Sequence, residues 1–455
     1  MRRTEGVVSM SRESNARRSA SVAAPAGVGI EQGAGRFPWV GMLALAAAAF
    51  LAVTSETLPT GLLPELAGGL HVTTPQAGLL VSVYAFTVVI ATTPLTALTR
   101  RIPRRPLVVA VIIVIGASSL LLAIAPNYGL AVLARVIGGM AHGVFWAVTG
   151  AYAGHIVPAH QLARAVAITS GGVSLAFILG APIATVLGHA FGWRAAFAVV
   201  GCLLLLGAVV VGLMLPKLRT SALHGAADLA PATGGMATVT GGVATITLGD
   251  QHRPKRRSRA HDASVRPVML VCVLTVLITL GSFTLNAYIA PFVSDAMGLG
   301  EGAVGPMLFV GGAMGAISVL LVGTVLGRRQ NAAALTGLLL TTVGVLLLGV
   351  FVGVPPLAIA AYVLWTLAFG CLPPLLQTQL LHVSSVRFRE TASALYTTAF
   401  NVGIGGGAMV GSVIYAVWGI LAVPWAAVAI LIVAIVMFVL TLRTRAQAAR
   451  AGGAA

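Results

Sequence analysis

Carboxylates are scarce in this chain. Its 455 residues hold 11 Asp and Glu against 28 Lys and Arg, and charged residues make up only 9%. A soluble domain carries about 25% charge, so this composition excludes an ordinary water-facing surface. Cysteine is scarcer still. Cys202, Cys272 and Cys371 sit far apart, each in an apolar stretch. That excludes a disulfide framework or a cysteine metal site and leaves small packing residues. HExxH, a phosphate-binding glycine loop, GxSxG with triad partners and aspartate pairs at helical spacing are all missing. The usual groups for metalloprotease, hydrolase, prenyl-transfer and nucleotide-driven chemistry are therefore absent, and the chain does not read as an enzyme.

What the chain has is apolar length: it is 58% hydrophobic. A membrane-spanning helix needs about 20 mostly apolar residues. Twelve such stretches are predicted at 38–63, 76–98, 107–126, 128–150, 163–188, 193–215, 267–291, 303–326, 331–353, 357–381, 390–416 and 419–441. They are too long for barrel strands and do not alternate. Fifty-four glycines suit helices packed closely in lipid.

A net charge of +17 raises the question of nucleic acid, but its placement argues against it. With the N-terminus inside, the cytoplasmic side receives the arginines of the leading arm, Arg100, Arg101, Arg104, Arg105, the cluster from Lys217 to Arg266, Arg328, Arg329, Arg387, Arg389 and those from Arg443 onward. Arg194 falls outside and Arg135 lies within a span. This is the positive-inside bias, and it places both termini in the cytoplasm.

The expected organisation follows. Residues 1–37 form a disordered cytoplasmic arm without a cleavable signal, 38–215 a six-helix bundle, and 216–266 a Gly-, Ala- and Thr-rich cytoplasmic linker ending in a basic cluster. Residues 267–442 form a second bundle and 443–455 a cytoplasmic tail. Slid by 227 positions, Gly143 meets Gly370, Gly180 meets Gly407, Ala181 meets Ala408 and Gly192 meets Gly419. Such an echo suggests duplicated halves.

Glu56, in VTSETLPTGLLPEL, is the one acid well inside a span. A carboxylate in hydrocarbon is costly and usually functional. Arg135 is its basic counterpart. Each lies about seven residues from the outer end of its span, on the order of 10 Å deep. Equal depth permits an ion pair. The pair either exchanges a proton or is static, and a Glu56 that reaches the surface past Pro59 is the alternative. Arg135, Gly139, His142 and Trp146 share one helix face. His142 is a candidate proton relay or a core histidine, and Trp146 a cavity wall or a packing residue. Ser174 and Asn401, related by the same offset, are candidates for substrate contact, as are Tyr84 and Asn286. Each can equally hydrogen-bond a neighbouring helix. Gly172, Gly180 and Pro182 allow close approach and bending.

Three passages together resemble a known family: TSETLPTGLLPELA, LARVIGGMAHGVFWAVTGAYA and TSGGVSLAFILGAPIATVLG. They resemble the major facilitator superfamily, in particular its twelve-span drug:proton antiporters and the branch of sugar-efflux and chloramphenicol-efflux proteins. The resemblance implies an all-α membrane fold of twelve helices in two pseudo-symmetric six-helix bundles. It implies a monomer in a bacterial cytoplasmic (inner) membrane that exports a small organic compound by proton antiport and alternating access. Its partners would be the solute and the bilayer, with no nucleic acid and no cofactor beyond the proton gradient. Spans 1 and 4 would line the cavity, with Glu56, Arg135 and His142 coupling the proton. The family's loop after span 2 departs here. Thr96, Arg100 and Pro103 stand where Gly, Asp and Gly are usual, while the basic pair Arg104 and Arg105 is kept. A gate built on that aspartate is not available. Sugar efflux is the nearest alternative, and a non-transporting sensor or scaffold the alternative of another class.

Overall fold

The computed structural model describes residues 37–157, 161–215, 264–326, 330–385 and 388–452. The expected arm up to residue 36, the linker residues 216–263 and Arg328 and Arg329 lie outside the described residues. The described residues form helices and no strand. Twelve helices are long and apolar enough to cross a membrane. They are α1 (Trp39–Gly61), α2 (Thr74–Arg101), α3 (Arg104–Ala123), α4 (Tyr128–Thr149), α5 (Arg164–Phe191) and α6 (Trp193–Met214). The second six are α7 (Val265–Asn286), α8 (Glu301–Thr324), α9 (Gln330–Val350), α10 (Pro355–Val383), α11 (Thr391–Trp418) and α12 (Ile420–Thr444). Large apolar side chains such as Ile90, Leu98, Phe191 and Leu213 are exposed on the outer faces. Lipid, in which every backbone group is satisfied within its helix, is the solvent such faces need.

Local chemistry sets the ends. Thr73 caps α2 with a capping box completed by Gln76, and Pro75 occupies the first turn. The Asn127 side chain accepts from the Leu130 N–H at the start of α4. Gly192 and Gly419 end α5 and α11 at φ 89° and 82°, a region that favours glycine. These are two positions paired by the 227-residue offset.

The packing repeats in the same way. In the first half α1 packs on α5 and α6, α2 on α4, and α3 on α4 and α6. In the second, α7 packs on α11 and α12, α8 on α10, and α9 on α10 and α12. The halves meet through α2 with α11 and α5 with α8. Each of these pairings maps onto another when six is added to the helix number. The seams use equivalent glycines. A Cβ on Gly143 would strike Thr92 of α2, and one on Gly370 would strike Ser318 of α8. Gly180 lies against Thr54 of α1, and Gly407 against the Leu280 carbonyl of α7.

Most expected boundaries shift by a few residues, the fourth span continuing as helix to Ile156 rather than ending at 150, and two shifts follow from local chemistry. Span 7 was expected to reach residue 291, but α7 stops at Asn286. Pro291 lacks an N–H for the Ala287 carbonyl and its ring clashes there, so the chain turns at Ala287–Tyr288. A short helix Ile289–Pro291 and a π-helical turn Phe292–Ala296 follow. The last helix continues to Gly452, through most of the expected tail. The run TLRTRAQAAR is rich in Leu, Arg, Gln and Ala, all good helix formers.

Candidate functional site

A cavity of about 330 Å³ lies between the two bundles. α1 contributes Glu56, Thr57 and Thr60, α4 contributes His142 and Trp146, and α5 contributes Ser174 and Phe177. The second half adds Phe283 and Asn286 from α7, Tyr362, Trp365 and Phe369 from α10, and Phe400 and Asn401 from α11. At the end away from the termini the halves are joined. Ser412 Oγ donates to the Pro75 carbonyl at 2.8 Å, and the Tyr288 hydroxyl reaches the same oxygen at 3.4 Å.

Glu56 is held from its own helix. Thr54 and Thr57 return their hydroxyls to the carbonyls of Phe50 and Val53 one turn back, so they need no partner in lipid. Ser55 Oγ meets Ser119 Oγ of α3 at 2.7 Å. Pro59 lies inside α1 without ending it, since the helix runs on to Gly61. It cannot donate to the carbonyl four residues earlier, and that carbonyl belongs to Ser55.

Arg135 fills this vacancy. Its Nη1 donates to the Ser55 carbonyl at 3.3 Å and its Nη2 to the Glu56 carbonyl at 3.1 Å. Its Nε donates to the Leu80 carbonyl of α2 at 3.3 Å, and its guanidinium lies 3.9 Å over the Tyr84 ring. The expected ion pair between Arg135 and the Glu56 carboxylate is therefore replaced by a backbone lock. Arg135 does reach the level of Glu56, but the proline-freed carbonyl captures the cation.

The carboxylate pairs instead with His142, whose Nε2 lies 3.2 Å from Glu56 Oε2. The His142 side chain is 3% exposed and that of Glu56 is 20% exposed, so the carboxylate remains open to the cavity. One turn further along α4, Trp146 Nε1 donates to the same His142 Nε2 at 2.7 Å. Sequence reasoning placed His142 and Trp146 on one face with Arg135 and missed that His142 joins the Glu56 carboxylate to the Trp146 indole. The signal was there: an i, i+4 spacing puts an imidazole within reach of an indole.

Trp146, Ser174, Asn286 and Asn401, the expected substrate contacts, all reach the cavity wall. Asn401 also donates to the Thr397 carbonyl at 3.0 Å. Tyr84 does not reach the wall. It is buried beneath Arg135, with its ring centroid 5.4 Å from that of His142, so it supports the site from behind.

The expected gating residues fall in three places. Gly172 lets α5 touch α1, because a Cβ there would strike the Ala46 carbonyl. Gly180 closes the π-helical turn Ala176–Gly180, two residues before Pro182. Pro182 leaves the Ile178 carbonyl without its helical donor, and the widened turn absorbs that defect. Arg105 Nη2 donates to the Gly212 carbonyl in the last turn of α6. A cation there complements the helix C-terminus. Arg104 is half-buried at the start of α3.

Two six-helix halves lie around a cavity in a multi-pass membrane protein, and the family that its sequence matches makes it a transporter. The family model described as Major Facilitator Superfamily matches residues 45–405, and the chain belongs to that superfamily. Solved structures share the fold. A bacterial homologue of the human lysosomal transporter Spinster, inward-facing and unoccupied, superposes with a TM-score of 0.69 at 17% identity, covering 90% of this chain and 98% of that one. The occupied form of that homologue gives 0.70 at 16% identity with the same coverage. The human organic anion transporter MFSD10 (TETRAN) gives 0.58 at 16% identity, covering 88% of this chain and 98% of its own.

Proposed function

We propose that this chain is a monomeric exporter of a small organic compound, driven by proton antiport across a bacterial cytoplasmic membrane with both termini inside. The observation that carries the proposal is Glu56: an acid deep in α1, in contact with His142 and accessible from the central cavity. A carboxylate paired to an imidazole inside a membrane is a place to load and unload a proton as access alternates. The cavity wall favours a particular solute. It is rich in aromatics, including Phe283, Trp365, Phe369 and Phe400, and the described wall residues include no Lys or Arg. A neutral or cationic, partly aromatic compound fits such a wall better than an anion. Sugar efflux is the second reading, supported by the amide side chains of Asn286 and Asn401 in the wall.

The test has two stages. An efflux-deficient bacterial host is profiled for resistance with and without the chain. The purified protein is then assayed in liposomes under an imposed pH gradient, with the protected compounds and with sugars. The expected outcome is compound efflux that collapses when the gradient is removed. Flux indifferent to the gradient would sink proton antiport, and protection against no compound together with sugar movement would favour the second reading.

A further inference from the structure

His142 Nε2 is claimed by two partners that need it in opposite states. It lies 3.2 Å from Glu56 Oε2 and 2.7 Å from Trp146 Nε1. A ring nitrogen has a single in-plane position, which holds either a proton or a lone pair. With a proton, Nε2 donates to Glu56 and confronts the Trp146 N–H head-on. With a lone pair, it accepts from Trp146 and has nothing to donate to an ionised Glu56. The indole N–H is a donor only and cannot reverse its role. Nδ1 gives no relief, because it is buried without a hydrogen-bond partner.

We propose that Trp146 is a positioning residue that reads the proton: it is held by bare His142 Nε2 and released into the cavity when that nitrogen is protonated. This rests on the proton-coupled export reading and gives it a moving part. Trp146 and His142 both line the cavity, so changing indole partners reshapes the space the solute occupies without any backbone movement. The titratable and charged groups facing His142 are Glu56 from α1, Tyr84 from α2 and, two turns away on α4 itself, Arg135. Phe145 packs edge-on against the indole at 5.3 Å between centroids and limits where it can swing. Exchanging one hydrogen bond shifts the balance of indole positions by roughly three- to tenfold.

The experiment needs no solute. Full-length protein carrying ¹⁵N-indole tryptophan is placed in lipid nanodiscs and followed over roughly pH 5 to 9. The Trp146 signal is assigned by its disappearance in Trp146→Phe. In the wild type it should move through one transition as pH changes. In His142→Gln that movement should vanish while the other indole signals stay in place. Glu56→Gln is the second variant and should displace the transition midpoint. A wild-type signal that stays fixed, a movement that survives in His142→Gln, or a midpoint indifferent to Glu56→Gln would each overturn the latch. The two readings fail separately. A moving signal without solute export leaves the latch and removes the exporter. Proton-driven export with the same pH profile in Trp146→Phe does the reverse.

Discussion

The two bundles share a packing frame and differ in what they place on it. In the first half Glu56 of α1 meets His142 of α4 at 3.2 Å. At the positions 227 residues later, Phe283 of α7 meets Phe369 of α10, edge to face, with centroids 6.2 Å apart. Arg135 likewise corresponds to Tyr362, which is buried and lines the cavity. The seams match all the same, through Gly143 and Gly370, Gly180 and Gly407, and the positive-φ pair Gly192 and Gly419. Small residues are needed wherever two backbones approach closely, so duplication leaves them little room to change. Side chains facing a cavity meet space rather than backbone. One half can therefore carry an acid–imidazole contact while its counterpart carries an aromatic wall.

The largest effect expected from breaking this asymmetry is on coupling. Glu56→Gln should lower proton-driven export by on the order of 100-fold. Phe283→Leu, its counterpart, should alter which compounds are carried and leave the dependence on the gradient intact. Transport in everted vesicles measures both. Equal loss of coupling in the two variants would remove the division of labour between the halves.

Stability comes next. Arg135→Met leaves the Ser55 carbonyl without its donor and should cost about 3 kcal/mol. Tyr362→Phe should cost about 1 kcal/mol or less. Thermal unfolding in detergent compares them, and similar losses would refute the backbone-lock role of Arg135. The glycine seams should be closer to each other. Gly407→Ala confronts the Leu280 carbonyl and should cost about 2 kcal/mol, while Gly180→Ala confronts the Thr54 hydroxyl, which can rotate aside by giving up its bond to the Phe50 carbonyl, and should cost about 1 kcal/mol. A larger loss at Gly180 would mean that the π-helical turn tolerates less than its counterpart.

The smallest effect concerns acids of the two halves that influence each other. Glu65, on the short helix Leu63–Leu70 between α1 and α2, pairs with His189 at 2.9 Å. Burial holds its carboxyl above the ordinary value of 4.5, and Glu301 and Asp295 of the second half add to this while His189 opposes it. The folded state therefore binds this proton more tightly than the unfolded state. The Glu65 contribution to stability should fall as pH rises from 4.5 through the raised range. Glu65→Gln should flatten that part of a melting-temperature profile, and an unchanged slope would contradict it.

Much of the fold was legible because lipid is a demanding solvent. It requires about 20 apolar residues per span, and it makes a carboxylate such as Glu56 conspicuous. Gly192 and Gly419 stood out as an echo because a positive φ restricts the choice of residue. The partners within the site were less legible. Residue counting gives a level along a helix axis, and Arg135 does reach the Glu56 backbone. It does not give the direction a long side chain takes, nor the pull of a carbonyl that Pro59 leaves open. Tyr84 shows the same limit: its place in α2 suited a cavity residue, yet its ring lies beneath Arg135.

The amino-acid sequence alone determined twelve spans, the duplicated frame and the lone interior acid, because each follows from local composition, spacing or one residue's conformational freedom. The i, i+4 spacing on α4 already put the Trp146 indole within reach of His142, but tertiary structure alone decided that Arg135 binds backbone and that Glu56 faces His142. Those outcomes depend on angles and distances of about an ångström between helices, and no spacing along a single chain encodes them.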